Sequence, residues 1–482
     1  ANGCTPHTVR TVPPPLPSSP DQPLPATPEG SNPSTTAPAT PPEMTANNPM
    51  PGGNTPPAGN FILPPDSPPG GNNVPDPNAV ASTAPATPPV ANRPPEGEPW
   101  GMLNSAKTVL FRRPVEATEW QLVPEREMVF KGDLLTSPPA YRNVIILRDF
   151  AVHLRGDTLV QLGIEGTTPK ISLYYGRLEV LASDPETEII IKAGDQPEAT
   201  VTFMKPASVL AVECQATRPL GQDPGQASRQ YRVEIFASSG EIRWSPAGSD
   251  EPYVLAAKSR YQLGTEFKQP LSNALPAWIS GDEESRLIMR QSAEQLAAEL
   301  QQMPQIRVEQ RLEELSYDDS AKVELRSLAR RSLVALDRYQ PALDALRKYD
   351  RSLERSPQFW PDYIDSLKKA VDRSRKSAQG LREAIVLLRG EEKGQQLYRM
   401  LWDYTPEQVK AGEGSRLLDY LTYPDTDFRV LAEWNLTNLL NGQARTTNTL
   451  HDGDPNRIKP YVEGFRRRLD SPAAAPAEDN AD

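Results

Sequence analysis

Cysteine and histidine are scarce in this chain, and so are long apolar runs. Two cysteines in 482 residues, Cys4 and Cys214, exclude a disulfide framework. The three histidines are His7, His153 and His451. No His-Glu-x-x-His, Cys-x-x-Cys, Gly-x-Ser-x-Gly or P-loop pattern occurs, so no motif points to metal, nucleophilic or nucleotide chemistry. No window approaches 18 apolar residues, the length that reads as a membrane-spanning helix. A net charge of −11 argues against a nucleic-acid binder that works by neutralising phosphates.

Proline, in contrast, is abundant and unevenly placed. The first hundred residues hold 29 of the 53 prolines, nine charged residues and no lysine. Proline fixes φ and removes a backbone donor, so neither helix nor ladder propagates through Pro13-Pro14-Pro15, Thr40-Pro41-Pro42 or Pro88-Pro89. Too few apolar side chains remain to offset the entropy of ordering. Residues 1–99 therefore read as a disordered spacer, partly polyproline II, softened by Gly52-Gly53 and Gly70-Gly71. Fully extended it would reach on the order of 300 Å, and as a coil it would average roughly 50–60 Å. Cys4 follows Ala1-Asn2-Gly3, which resembles the end of a bacterial lipobox and makes Cys4 a candidate lipidation site. A lipid there would hold a membrane while the spacer lifts the folded part clear.

From Trp100 to about residue 270 the pattern is β-like. Thr108–Phe111, Val144–Leu147, Ile171–Tyr175, Ile189–Ile191 and Tyr231–Phe236 are β-branched or aromatic runs separated by Gly, Pro, Asp and Ser. Leu173–Val180 and Ala237–Trp244 match in pattern: strand, a glycine at Gly176 or Gly240 in a turn with positive φ, then an alternating strand. Cys214, in the run Val209–Cys214, reads as a buried, inert thiol. The expected fold is an all-β roll, sandwich or β-helix-like stack.

Lys131-Gly132-Asp133-Leu134-Leu135-Thr136-Ser137, the hairpin series from Asn143 to Gly163, the two glycine units and the final stretch Tyr253–Gly264 together resemble the FecR family of bacterial envelope proteins. The resemblance covers about residues 107–264. It implies an extracytoplasmic β domain of the kind that relays a receptor signal to a sigma factor. No anti-sigma helices or membrane span accompany it in this sequence, so the resemblance implies the envelope location more than the sigma-factor role.

From Asp282 to Asp470 the period changes to 3.6. Leu287, Ile288, Leu296 and Leu300 share a helical face, as do Leu325, Leu328, Leu333 and Leu336. Ser356-Pro357, Thr405-Pro406 and Asp425–Asp427 are helix-start signals. Phe428, Leu431, Trp434 and Leu439 are expected on one core face. Arg429, Leu431, Ala432, Asn435 and Leu436, with a closing helix over Pro460–Leu469 in which Phe465 replaces an expected tryptophan, resemble a HEAT-like C-terminal module of planctomycete proteins. HEAT-like helix pairs present surfaces to partners.

Several groups could carry chemistry, and each has a plainer reading. Asp282-Glu283-Glu284, Glu313-Glu314 and Glu391-Glu392 read as helix first turns or solvated faces more than as a glycosidase carboxylate pair. His451-Asp452-Gly453-Asp454 lacks EF-hand ligand spacing. Arg466-Arg467-Arg468 suits a helix C-terminus. Tyr398, Trp402, Phe428 and Trp434 read as core before they read as a sugar platform.

The whole reads as a multidomain protein: spacer 1–99, FecR-like all-β domain 100–270, linker 271–281, α-helical domain 282–470 and disordered tail 471–482. The expectation is a non-catalytic, envelope-tethered binding or scaffold protein, periplasmic or otherwise outside the cytoplasm. No cofactor, metal site or nucleic-acid partner is expected. Its partners would be another envelope protein or a cell-wall glycan, and the membrane through Cys4. The alternatives are a FecR-type sensor whose anti-sigma half is on another chain, and a cell-wall glycan hydrolase.

Overall fold

Apolar side chains alternating with polar ones through residues 99–263 build strands with one face turned inward. The structure, a computed structural model, describes residues 97–249, 251–263, 275–280, 287–302, 307–347, 359–440 and 454–470. Residues 1–96 of the expected spacer, with Cys4 and His7, the tail 471–482, and the motifs Asp282-Glu283-Glu284, Ser356-Pro357 and His451-Asp452 lie outside the described residues, whereas the end of the expected spacer is part of the fold: the Glu98 carbonyl accepts from the Lys131 amide and the first strand starts at Pro99.

The strands are β1 (Pro99–Leu103), β2 (Phe111–Arg113), β3 (Gln121–Leu122), β4 (Met128–Phe130), β5 (Leu134–Ser137), β6 (Asn143–Leu147), β7 (Phe150–Leu154) and β8 (Thr158–Glu165). They continue as β9 (Thr168–Ala182), β10 (Thr187–Ala193), β11 (Ala199–Phe203), β12 (Val209–Thr217), β13 (Gln230–Ser239), β14 (Glu241–Pro246), β15 (Tyr253–Ala256) and β16 (Ser259–Leu263). One sheet runs β4-β1-β6-β7-β9-β12-β13-β16, the other β3-β2-β5-β8-β9-β10-β11-β14-β15. Neighbours are antiparallel except β9 and β10, which are parallel. Strand β9 belongs to both sheets: residues 168–175 pair with β8, and residues 176–182 pair with β7 and β12. Val152, Leu178, Val180, Val212 and Ile235 from the first sheet meet Val160, Ile171, Ile191, Val201 and Ile242 from the second in one buried core.

The two glycine units do take positive φ, +99° at Gly176 and +71° at Gly240, but neither is a hairpin turn. Each is a corner where the chain leaves one sheet for the other: β9 bends through Gly176, and β13 passes to β14 at Gly240. The corners are built alike. Buried Thr158 accepts from the Arg177 amide (2.9 Å) and donates to the Arg177 carbonyl (3.0 Å). Buried Ser208 accepts from the Glu241 amide (3.2 Å) and donates to the Lys205 carbonyl (2.8 Å). A Cβ at position 176 would stand 2.5 Å from Thr158 Cα, and one at position 240 would stand 2.7 Å from Ser208 Cα. The hydroxyl fills the space a side chain would need. Each of these hydroxyl residues follows a left-handed residue, and the same pairing recurs as Lys107–Thr108, Asp157–Thr158, Ala207–Ser208 and Lys258–Ser259, at intervals of 50, 50 and 51 residues.

The helical part contains α1 (Ala277–Ser280), α2 (Leu287–Gln302), α3 (Val308–Tyr317), α4 (Val323–Ala335), α5 (Gln340–Arg347), α6 (Trp360–Arg373), α7 (Arg375–Arg389) and α8 (Glu391–Arg399). The remaining helices are α9 (Pro406–Gln408), α10 (Gly414–Tyr420), α11 (Thr426–Leu439) and α12 (Pro455–Asp470). The Thr405-Pro406 signal is realised as a capping box: Thr405 accepts from the Gln408 amide while the Gln408 side chain accepts from the Thr405 amide. Trp360, Tyr363, Leu397, Leu417, Phe428 and Leu431 belong to the main helical core. Phe428 and Leu431 are buried as expected, whereas Trp434 and Leu439 sit half-buried at its rim.

Helices α2–α4 close a second core on the strands. Val109, Phe111, Trp120 and Tyr141 pack with Leu296, Leu312 and Leu328, and Tyr141 Oη donates to the Ala293 carbonyl at 2.8 Å. The C-terminal end of α6 is also capped from the strand side. Arg229 donates to the carbonyls of Val371 (3.1 Å) and Asp372 (3.0 Å), where the helix dipole favours a cation. Arg218 holds the Asp372 carboxylate at 2.7 Å, and Lys369 holds Asp157 at 3.1 Å. Strand-rich and helical parts cohere as one unit.

Candidate functional site

Strand alternation sends Leu178, Val180, Val212, Val233 and Ile235 into the sandwich, so Arg177, Glu179, Glu213, Arg232 and Glu234 stand on the outer face of the first sheet. Register then brings them together. Glu213 lies opposite Arg177 and Glu234, Gln215 lies opposite Arg232, and Phe236 lies opposite Arg260. The result is a ladder of ions across β7, β9, β12, β13 and β16.

Every carboxylate in the ladder is engaged. Glu179 accepts from Arg155 Nε at 3.0 Å and lies 3.8 Å from His153 Nδ1. Glu213 accepts from Arg177 Nε (2.9 Å) and from the Gln215 amide (2.6 Å). Glu234 accepts from Arg232 Nε (2.8 Å), Arg260 Nε (2.9 Å) and Arg260 Nη2 (2.8 Å). Burial raises the Glu234 carboxyl, but the bonds from Arg260 and Arg232 outweigh it and hold the group below the ordinary glutamate value. The hydrogen bond to Glu234 holds Arg260 above its own ordinary value. His153 is pushed down by burial, against the pull of Glu179.

Helix α1, within the segment read as a linker, closes one side of this face. Trp278 packs edge-on against Phe236, with ring centres 5.9 Å apart, and Arg177 lies over the indole at 5.5 Å. Arg260 lies over the Phe236 ring at 5.7 Å. Between α1 and the sheet is a cavity of about 420 Å³ lined by Arg177, Glu213, Gln215, Arg232, Glu234 and Arg260 together with Leu275, Pro276 and Trp278. The indole Nε1 of Trp278, a residue 4% exposed, is buried without a hydrogen-bond partner. A second cavity, about 320 Å³, lies across β8, β9 and β10 and includes Lys170, Lys192, Tyr174 and Glu198.

The residues singled out in the sequence are scattered, and none lines the larger cavity. Cys214 points into the sandwich, where burial pushes its thiol up to about 12, far from a reactive thiolate at neutral pH. Glu313 and Glu314 are exposed on α3, with Glu314 paired to Arg311. Glu391 and Glu392 occupy the first turn of α8, and Arg467 and Arg468 the last turn of α12. Tyr398 and Phe428 are buried, and Trp402 and Trp434 are partly buried against the same helical core. Among the described residues no group of three or more His, Cys, Asp or Glu is arranged to hold a metal ion, and no helix is long and apolar enough to cross a membrane.

The residues that do converge left only a faint trace in the sequence. Arg177-x-Glu179, Glu213-x-Gln215 and Arg232-x-Glu234 each place polar groups at i,i+2 inside an apolar strand. That pattern marks a solvent face, while their meeting depends on register between strands up to 36 residues apart. No protein-family description matches this chain, and no curated protein does.

Proposed function

We propose that this is a non-catalytic binding or scaffold protein of the cell envelope. A FecR-like β domain and a HEAT-like helical domain would form its folded part, and the Pro-rich segment with a lipidated Cys4 would tether it outside the cytoplasm. The observation that carries the binding reading is the saturation of the ladder carboxylates: Glu179, Glu213 and Glu234 are each held by arginine. Glu234, held below the ordinary glutamate value by its two guanidiniums, suits fixed recognition and not proton transfer. The FecR-like reading is supported by the paired glycine corners and the roughly 50-residue recurrence of the left-handed residue and hydroxyl. A long Pro-rich segment ahead of a folded body suits display at a distance from a surface.

Photo-crosslinking in intact envelopes tests this reading. A benzophenone residue replaces exposed Leu387 on α7 in one sample and exposed Gln215 beside the cavity in another. Discrete adducts with an envelope protein or cell-wall glycan are expected from at least one site, in a chain that fractionates with the envelope. Recovery of the chain away from the envelope, or no adduct from either site, would overturn it. Glycan cleavage by the full chain that Glu234→Gln abolishes would replace it with the hydrolase reading.

A further inference from the structure

We propose that the second cavity, on the outer face of the second sheet, binds a neutral sugar ring of a glycan; this rests on the binding reading above and names its ligand. Strand alternation turns Ile171, Leu173 and Ile191 into the sandwich, so Lys170, Ser172 and Lys192 stand outside. Register sets Gln161, Ser172 and Lys192 side by side across β8, β9 and β10. Glycines at 163 and 194 bring backbone alone to the lining, and the space above it is about 320 Å³. That volume lies at the lower end of ordinary small-ligand sites and suits a single ring.

Tyr174 supplies an independent observation. Val160 pairs with Leu173 and Leu159 with Tyr175, so Tyr174 is the extra residue of a β-bulge, with nothing opposite it on β8. Bulges re-aim a side chain and recur beside active sites. Here the side chain lines the cavity and the residue is 42% exposed. It is also fixed in place: its hydroxyl donates to Gln161 Oε1 at 2.8 Å, and Gln161 Nε2 donates to the Gly132 carbonyl at 3.3 Å. The bulged backbone is held from within the sandwich, where the Cys214 thiol donates to the Tyr174 carbonyl at 3.6 Å. A rigid, exposed tyrosine ring offers contact area at little cost in conformational entropy.

The polar groups give the ligand its character. Lys192 and Ser172 make no hydrogen bond or ion pair among the described residues. Lys170 is held by Glu165 (3.1 Å) and Glu198 (2.7 Å), in each case through Oε2, which leaves Oε1 of Glu198 open. The cavity thus offers a donor at Lys192, an acceptor at Glu198 and, at Ser172, a group that does either. Sugar hydroxyls also donate and accept, so they match this mixture. A carboxylate or phosphate drawn to Lys192 would share the cavity with the Glu198 carboxylate, and an amine drawn to Glu198 would share it with two ammoniums. The two lysines balance Glu165 and Glu198 in charge, which favours a neutral ligand.

The test uses the full chain labelled with 3-fluorotyrosine. The probes are tetramers of N-acetylglucosamine, glucose and mannose, with tetragalacturonate as the acidic counterpart and tetraglycine as a peptide. The fluorine resonance missing from Tyr174→Phe identifies position 174. At least one neutral tetramer is expected to shift that resonance and to bind about tenfold more tightly than tetragalacturonate, the cost of setting a carboxylate beside Glu198. Raised salt should leave that affinity unchanged. Tyr174→Ala should weaken it about tenfold by removing the stacking surface. Lys192→Gln should weaken it about fivefold, the worth of one hydrogen bond. Both positions are exposed, so both variants should keep the wild-type urea midpoint. No shift with any neutral tetramer, equal or tighter binding of tetragalacturonate or tetraglycine, or undiminished affinity in both variants would overturn the proposal. If no neutral tetramer binds while envelope adducts form from Leu387 or Gln215, the site assignment fails and the binding reading stands; if no adducts form either, both fall.

Discussion

Basic side chains and carboxylates pair in both halves of this molecule, with different consequences. On the outer face of the first sheet, Arg155–Glu179, Arg177–Glu213 and Arg260–Glu234 join residues 24, 36 and 26 positions apart. Their carboxylates are almost enclosed, Glu234 being 6% exposed. On the helices, Arg311–Glu314, Lys369–Asp365 and Arg416–Glu413 are spaced i,i+3 or i,i+4. A helix brings such residues together as soon as it forms, in water, for a few tenths of a kcal/mol. A sheet brings them together only in the correct register, and then withdraws them from water. Identical chemistry is thus incidental in these helical pairs and dependent on the whole fold in the ladder, as it also is where Arg389 meets Asp425 and Asp427, 36 and 38 positions away among the helices.

Glycine substitutions put the same contrast to its harshest test. Gly176→Ala places a methyl against the Thr158 backbone at φ +99°, so it should destabilise by roughly 3 kcal/mol, combining strain and overpacking. Gly380, inside α7, has only a Tyr339 ring carbon 3.6 Å from a new Cβ, an ordinary contact. Urea denaturation of the two alanine variants should move midpoints in opposite directions. A Gly176→Ala midpoint equal to wild type would break the account of the corners.

Next in size is Glu234→Gln, which leaves two guanidiniums without their anion and should cost roughly 2 kcal/mol at neutral pH. Its pH dependence carries a sign. The folded carboxyl lies below the ordinary value of 4.5, so an unfolded chain takes up the proton first on acidification. The stabilisation is complete above pH 4.5 and is lost as pH falls through the folded value. The gap between wild type and Glu234→Gln should therefore narrow in acid; a gap that widens would contradict the assignment. Gly380→Ala should stabilise by about 0.5–1 kcal/mol, as alanine does in a helix interior. The smallest effect is expected from Glu314→Gln on exposed α3, within about 0.5 kcal/mol by the same denaturation. A loss as large as that of Glu234→Gln would erase the distinction between the halves.

Much of the fold is legible before any coordinate is seen, because it depends on local pattern. The change of period near residue 280 marks the passage from strands to helices, and Thr405-Pro406 and Gly176 announce a cap and a positive φ. The corners read as hairpins because a glycine reports local conformation and says nothing of which sheet the next residues join. The left-handed Lys107, Asp157, Ala207 and Lys258 are invisible as such, since none is a glycine and only their surroundings enforce the conformation. Asp425 and Asp427 signal a helix start, yet neither caps α11 as an ordinary N-cap; they hold Arg389 from α7. The candidate site was least legible of all. Its six charged or polar residues come from four strands, and Trp278 lies in a stretch whose composition suggests only a connection.

Strand β9 carries a mechanical implication. Because its first half is bonded into one sheet and its second half into the other, the covalent backbone itself crosses the sandwich. The two layers cannot slide past each other or peel apart as separate plates: shear between them is borne along a peptide chain as well as by side-chain contact. Pulling on either layer loads the same fifteen residues, so the sheets should yield together, in a single rupture event, when the folded body is stretched.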